Sequence, residues 1–197
     1  MRCGIDVGGT KIETAVLSDS GKFLSRERTN TPKNYAALLN SIDKSVQQAS
    51  KNTGFDGPVG ICMPGSVSKE TGLIQGANTT YLNGQNFQKD LQATLNRSVR
   101  LSNDANCFAL SEAIEGAGKD ASVVFGVIIG TGCGGGIVVN RHILPGVNGI
   151  AGEWGHTPLP WPVKNEFENH DCWCGKTGCL ETYISGTALT KDYKRMT

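Results

Sequence analysis

No stretch of the 197-residue sequence approaches the roughly 18 consecutive apolar residues that cross a bilayer. Charge of either sign is not in excess: 19 Lys and Arg stand against 18 Asp and Glu, for a formal net charge of +1. That balance argues against a general electrostatic grip on nucleic acid or anionic lipid. A closed disulfide framework is also disfavoured, because seven cysteines are an odd number. Four of them, Cys3, Cys62, Cys107 and Cys133, stand singly among apolar or small residues, where free thiols are commonly buried. The opening MRCGIDVGGT turns glycine-rich before an apolar signal core can form. A cytosolic, reducing location is the expectation, with no membrane and no nucleic acid as partners.

What the chain does have is glycine, 26 residues gathered in a few places. Clustered glycine marks backbone that turns tightly or approaches a ligand closely. RCGIDV (2–7), KIETAVLS (11–18) and KFLSRERT (22–29) read as an antiparallel strand meander. Tyr35, Leu38, Leu39, Ile42 and Val46 recur at helical spacing in 34–51. PVGICM (58–63) and SVRLSN (98–103) read as strands, and 87–96 and 104–116 as helices, with Asp104 at a favoured N-cap position. SVVFGVII (122–129) and GGIVVNRHI (135–143) are further strands, and 181–195 a tail helix. Strand, glycine turn and strand thus occur twice, which predicts a duplicated α/β architecture with a cleft between halves. The expected domains are 1–118 and 119–197.

GTGCGG fits G-x-G-x-x-G through Gly130, Gly132 and Gly135, but a strand follows where a dinucleotide fold needs a helix. No G-x-x-x-x-G-K-[ST] is present either. What remains is a pair of hairpin turns whose backbone N–H groups can cradle an anion, against the plain alternative of turn glycines. Asp6 is placed to meet a magnesium ion through water, and Lys11 to meet a phosphate oxygen.

The segment NHDCWCGKTGC (169–179) holds Cys172, Cys174 and Cys179 together. C-x-C lacks the C-x-x-C redox spacing, and a stable disulfide does not suit a reducing compartment. Three thiolates and one imidazole would make a closed tetrahedral zinc site. Spacing alone leaves His170 and His156 both open as the fourth ligand.

GIDVGGTK, PGS, LSNDANC, GTGCGGG, GEWGH and CWCGKTGCLE occur in this order along essentially the whole chain. Together they resemble the ROK family of sugar kinases. ANTTYLNG, EWGHTPLPW and ETYISG look most like its bacterial fructokinases (manno/fructokinases), with its N-acetylglucosamine kinases second. The resemblance implies an actin-like, ribonuclease H-like ATPase fold. It also implies ATP, Mg²⁺ and structural Zn²⁺ as cofactors, and phosphorylation of the 6-hydroxyl of fructose or mannose. N-acetylglucosamine and glucose are the alternative sugars, and a non-catalytic sugar-binding fragment or sugar-responsive regulator the alternative of another class. The regulators of this family carry a helix-turn-helix before the first glycine loop, which here starts at Gly8.

By the same resemblance Asp104 matches the general base, a role compatible with capping, and Asn103 a neighbouring sugar ligand. Glu153, His156 and Glu181 match residues that hold other sugar hydroxyls, and Gly65 and Asn78 line the pocket. Asp6, Gly8, Gly9, Thr10 and Lys11, with Gly130, Thr131 and Gly132, belong to the two phosphate loops. His156, not His170, takes the fourth zinc position. Trp154 and Trp161 are expected in core or lid packing. The family's chains are longer, their later portion completing the second half and contacting adenosine, and a homodimer is implied at full length.

Overall fold

The structure, a computed structural model, describes residues 1–163, 166 and 170–197. By packing, the chain divides into Met1–Asp104 and Ala105–Thr197. The division falls earlier than the glycine-rich break at 116–121, because the helix before that break packs with the strands after it.

In the first unit β1 (Arg2–Val7), β2 (Lys11–Leu17) and β3 (Phe23–Asn30) form the antiparallel meander. α1 (Tyr35–Thr53) follows, opened by Asn34, whose side chain accepts from the Ala37 N–H, and closed by Gly54 at φ 73°. β4 (Val59–Met63) then pairs parallel with β1. A small hairpin, β5 (Ser66–Val67) and β6 (Ile74–Gln75), leads to α2 (Phe87–Leu95) and β7 (Val99–Asn103), giving the sheet order β3-β2-β1-β4-β7. Strand alternation buries Cys3, Ile5 and Val7 of β1 and leaves Arg2, Gly4 and Asp6 exposed. The buried face meets Leu38, Ile42 and Val46 of α1 and Phe87 and Leu91 of α2 in one apolar cluster.

α3 (Asp104–Ile114) opens at the junction and buries Ala105, Ala109 and Ala113 at helical spacing. β8 (Val123–Ile129), β9 (Cys133–Val139) and β10 (His142–Ile143) make an antiparallel sheet in the order β10-β9-β8. Small residues let α3 lie close: a Cβ at Gly126 would stand 2.8 Å from that of Ala109, and one at Gly136 would stand 2.7 Å from the Ala105 oxygen. Gly126 before the second turn and Gly136 after it therefore serve packing. The strand read as 135–143 is two strands, separated by Asn140 and Arg141 at φ 48° and 65°, a two-residue hairpin turn. The tail helix is likewise two, α4 (Glu181–Ile184) and α5 (Gly186–Met196). Ser185 between them is extended and caps α5 by accepting from the Ala188 N–H. Trp161, read as core or lid packing, is 95% exposed, on backbone at φ 49°. No helix among the described residues is long and apolar enough to cross a membrane.

Candidate metal centre and catalytic residues

The described residues of 144–180 form only short turns and isolated bridges, yet they bring four ligands together. His156 ends a 3₁₀ turn, Trp154–His156, pinned to β9 by the Trp154 Nε1–H donating to the Gly134 oxygen at 2.7 Å. Cys172 and Cys174 lie on a tight knuckle closed by Gly175 N–H to the Cys172 oxygen at 3.0 Å and Cys172 N–H to the Lys176 oxygen at 2.8 Å. Gly175 and Gly178 sit at φ 85° and 79°, which a side chain would resist. Cys179 follows, bridged to Pro158 in antiparallel fashion, so the knuckle is stitched to the segment just after His156.

Ligand atoms of His156, Cys172, Cys174 and Cys179 all lie within 4.8 Å of one another. Tetrahedral zinc with Zn–S near 2.3 Å and Zn–N near 2.0 Å separates two sulfurs by about 3.8 Å and sulfur from nitrogen by about 3.5 Å. The Cys174–Cys179 sulfurs are 3.7 Å apart, and Cys172 Sγ is 3.5 Å from His156 Nδ1. The donor set and its spacing therefore fit zinc. His170, the other histidine weighed, is buried elsewhere. Its ring stacks on Tyr183 at 3.9 Å and its Nδ1 lies 3.1 Å from the Thr182 oxygen. Burial raises the Cys172 thiol and pushes Cys179 up to about 12. In Cys174 burial is outweighed by hydrogen bonding from the Lys176 backbone and the neighbouring thiols, and the net direction is down. Metal loading must therefore displace protons from this cluster.

In the first unit Gly8 closes the β1–β2 turn by donating to the Lys11 oxygen at 2.9 Å, and Thr10 accepts from the Thr31 N–H at 3.0 Å. A Cβ on Gly9 would stand 4.0 Å from Thr79 Oγ1, so this turn lies beside exposed Asn78. Asp6, exposed on β1, accepts from the Cys62 thiol at 3.3 Å. Gly65 is at φ 79°, where a Cβ would stand 2.6 Å from the Gln75 oxygen, and its own oxygen accepts from Asn103 Nδ2 at 3.1 Å. Asp104 follows, exposed at the start of α3. Gly65, Asn103 and Asp104 are thus drawn to one strand end.

In the second unit the Gly130–Gly132 turn is braced by α5. Gly130 oxygen accepts from the Gly186 N–H at 2.7 Å, and Thr131 oxygen from Thr187 Oγ1 at 2.8 Å. None of Gly8, Gly9, Gly130 and Gly132 has a positive φ. A left-handed turn is therefore not why they are glycine. Glu153 is half-buried ahead of the 3₁₀ turn. Glu181 is half-buried at the start of α4, accepting from the Cys133 N–H at 2.8 Å and from Trp173 Nε1 at 2.8 Å. Trp173 was not singled out from the sequence. Its only signal there is a tryptophan between two thiol ligands.

Residues 2–197 match the ROK family. The chain belongs to the ROK family. It is similar to the N-acetylgalactosamine kinase AgaK of Shewanella sp. (strain ANA-3), 39% identical over 98% of this chain and 64% of that protein. It is also similar to the N-acetyl-D-glucosamine kinase of Histophilus somni (strain 129Pt), 41% identical over 98% of this chain and 66% of that protein. A ROK family glucokinase from Streptomyces griseus, solved with glucose and AMPPNP, superposes with a TM-score of 0.81 at 32% identity, over 98% of this chain and 60% of that one. The α/β fold is accordingly that of the ROK sugar kinases, the actin-like ATPase fold, and the chain spans about two thirds of the length of these curated relatives. By their names these two relatives act on N-acetylated hexosamines, so the leaning towards fructose drawn from short motifs finds no support in them.

Proposed function

We propose that this ROK chain is part of an ATP-dependent kinase of an N-acetylated hexosamine. The observation that carries the sugar class is the 39% and 41% identity to an N-acetylgalactosamine kinase and an N-acetylglucosamine kinase across nearly the whole chain. The exposed Asp104 carboxylate takes the proton of the sugar 6-hydroxyl as that oxygen attacks the γ-phosphorus. The bond from the γ-phosphorus to the β–γ bridging oxygen breaks, and ADP leaves. Such general-base help is worth about 10²–10⁴ in rate, with positioning and charge stabilisation supplying most of the rest.

Asn103, held by the Gly65 oxygen, orients the sugar beside the base, with Gly65 and Asn78 lining the pocket. Glu153, His156 and Glu181 take further hydroxyls, a choice that rejects sugars lacking the partner group. Gly9, Thr10 and Lys11 on one turn, and Thr131 and Gly132 on the other, offer N–H groups and an ammonium to the phosphates, with Gly8 and Gly130 using their own N–H groups to close those turns. Asp6 would hold Mg²⁺, which would neutralise phosphate charge. His156 and the three cysteines would hold zinc, which would serve structure. A cytoplasmic place and a homodimer accompany this reading.

A coupled assay on the purified protein across N-acetylglucosamine, N-acetylgalactosamine, N-acetylmannosamine, glucose, mannose and fructose tests it. An N-acetylated hexosamine is expected to show the highest kcat/KM, and Asp104→Asn to lower kcat about 10²-fold or more. A tenfold preference for fructose would overturn the sugar class. Sugar binding in calorimetry without nucleotide binding or turnover would replace the kinase by a sugar-binding module.

A further inference from the structure

Glu181 is engaged on both sides. Its Oε2 accepts the Cys133 N–H at 2.8 Å, where the β8–β9 turn returns into β9. A Cβ at Gly132 would stand 2.4 Å from that same oxygen, so glycine there leaves room for the carboxylate. Its Oε1 accepts from Trp173 Nε1 at 2.8 Å. Trp173 stands between ligands Cys172 and Cys174, and its ring meets His156 edge-on at 5.0 Å and 83°. Yet Trp173 is 65% exposed, so burial of apolar surface does not hold it there. What holds it is the knuckle on either side and its one polar contact.

We propose that Trp173 is a positioning residue: its indole N–H ties the metal knuckle to the β8–β9 turn through Glu181. Loading the four ligands fixes the backbone at residues 172 and 174 and the His156 ring, and so fixes the indole between them. The indole then fixes one carboxylate oxygen, and the other caps the turn's N–H. Charge-assisted hydrogen bonds of this kind are shorter and stronger than neutral ones, and two of them leave the carboxylate a single orientation. Without metal the knuckle loosens, the carboxylate swings, and the Cys133 N–H turns to water. The tie itself stands on geometry alone. Only its consequence for the sugar rests on the kinase reading above.

Trp173→Phe tests this, since it keeps an aromatic ring beside His156 and removes the donor. Hydrogen exchange at the Cys133 amide is followed with one equivalent of zinc and after chelation. In the unaltered protein zinc is expected to slow exchange about tenfold or more. In Trp173→Phe, with zinc content still near one equivalent, that slowing is expected to disappear, as it does in Glu181→Ala. Equal protection in the unaltered protein and Trp173→Phe overturns the tie, and so does exchange that ignores zinc. In turnover, Trp173→Phe is expected to raise the KM for the sugar about 5- to 10-fold with kcat within about twofold. It is expected to add nothing in a Glu181→Ala background, and additive effects there overturn the assignment. If the unaltered protein phosphorylates none of the sugars, the kinase reading falls while the exchange measurement still decides the tie.

Discussion

Phe87, Leu38, Ile42, Met63, Leu82 and Leu91 are almost completely buried in the first unit, whereas the second buries Ala109, Ala113 and Val138 in its own small cluster. On β8, Val123, Phe125, Val127 and Ile129 are all exposed. The first unit is held by large side chains closing over one sheet face. The second rests on alanine-on-glycine contact of α3 with β8 and β9, and it gathers three thiols and one imidazole within metal-ligand distance of one another. A segment as poor in apolar periodicity as 144–180 gains little from burial, and an ion on its four clustered ligands would supply order that burial does not.

The comparison is broken most severely by taking the metal. Chelation, or Cys179→Ser, is expected to destabilise the second unit by on the order of several kcal/mol. Amide exchange should then rise across the knuckle and α5 while α1 stays protected, and equal loss in both units would abolish the contrast. Next comes Phe87→Ala, which empties a fully buried site and is expected to cost about 3–5 kcal/mol in denaturant unfolding. Zinc content should be unchanged. Gly136→Ala sharpens the other side. The added methyl meets the Ala105 oxygen at 2.7 Å, and the expected loss of about 1–3 kcal/mol should appear in the second unit alone.

The smallest effect is electrostatic. Hydrogen bonds from Arg26 and then Arg28 hold the Glu13 carboxyl below its ordinary value. Its stabilising contribution is therefore present above the unfolded value and is lost as pH falls through the lower folded one. Both guanidinium groups are more than half exposed, so solvent screening limits the contribution to less than about 1 kcal/mol. Glu13→Gln should flatten the acid limb of the first unit's stability curve by that amount, with no change near neutral pH in zinc content.

Periodicity made the larger elements legible. Leu38, Ile42 and Val46 announced α1, and the expected bounds of 34–51 lie within two residues of Tyr35–Thr53. It failed where local turn chemistry rules. The Asn140-Arg141 turn hides in an apolar run, and the break at Ser185 hides in a helical one. The β5–β6 hairpin, with strands of two residues each, is too short to carry a pattern. In the candidate site Asp6, Asp104 and the three clustered cysteines were visible as chemistry at turns and element ends, whereas Asn103 came only with the family resemblance. The donors that hold Glu181 were not, because Cys133 N–H and Trp173 Nε1 come from segments far apart in the chain.

From sequence alone came the α/β class, the strand–glycine turn–strand repeat, the membership of a sugar-kinase family and a thiol cluster of zinc-ligand type. Those follow from residue type and spacing, which act locally. Chain spacing left the fourth ligand open and the resemblance named His156; in the tertiary structure the Trp154–His156 turn brings His156 to Cys172, while nearer His170 is drawn into a stack with Tyr183. The tertiary structure also decided that the glycines at 126 and 136 answer to the close approach of α3. Coordination and close packing are set by distance in space, and chain spacing does not carry that distance.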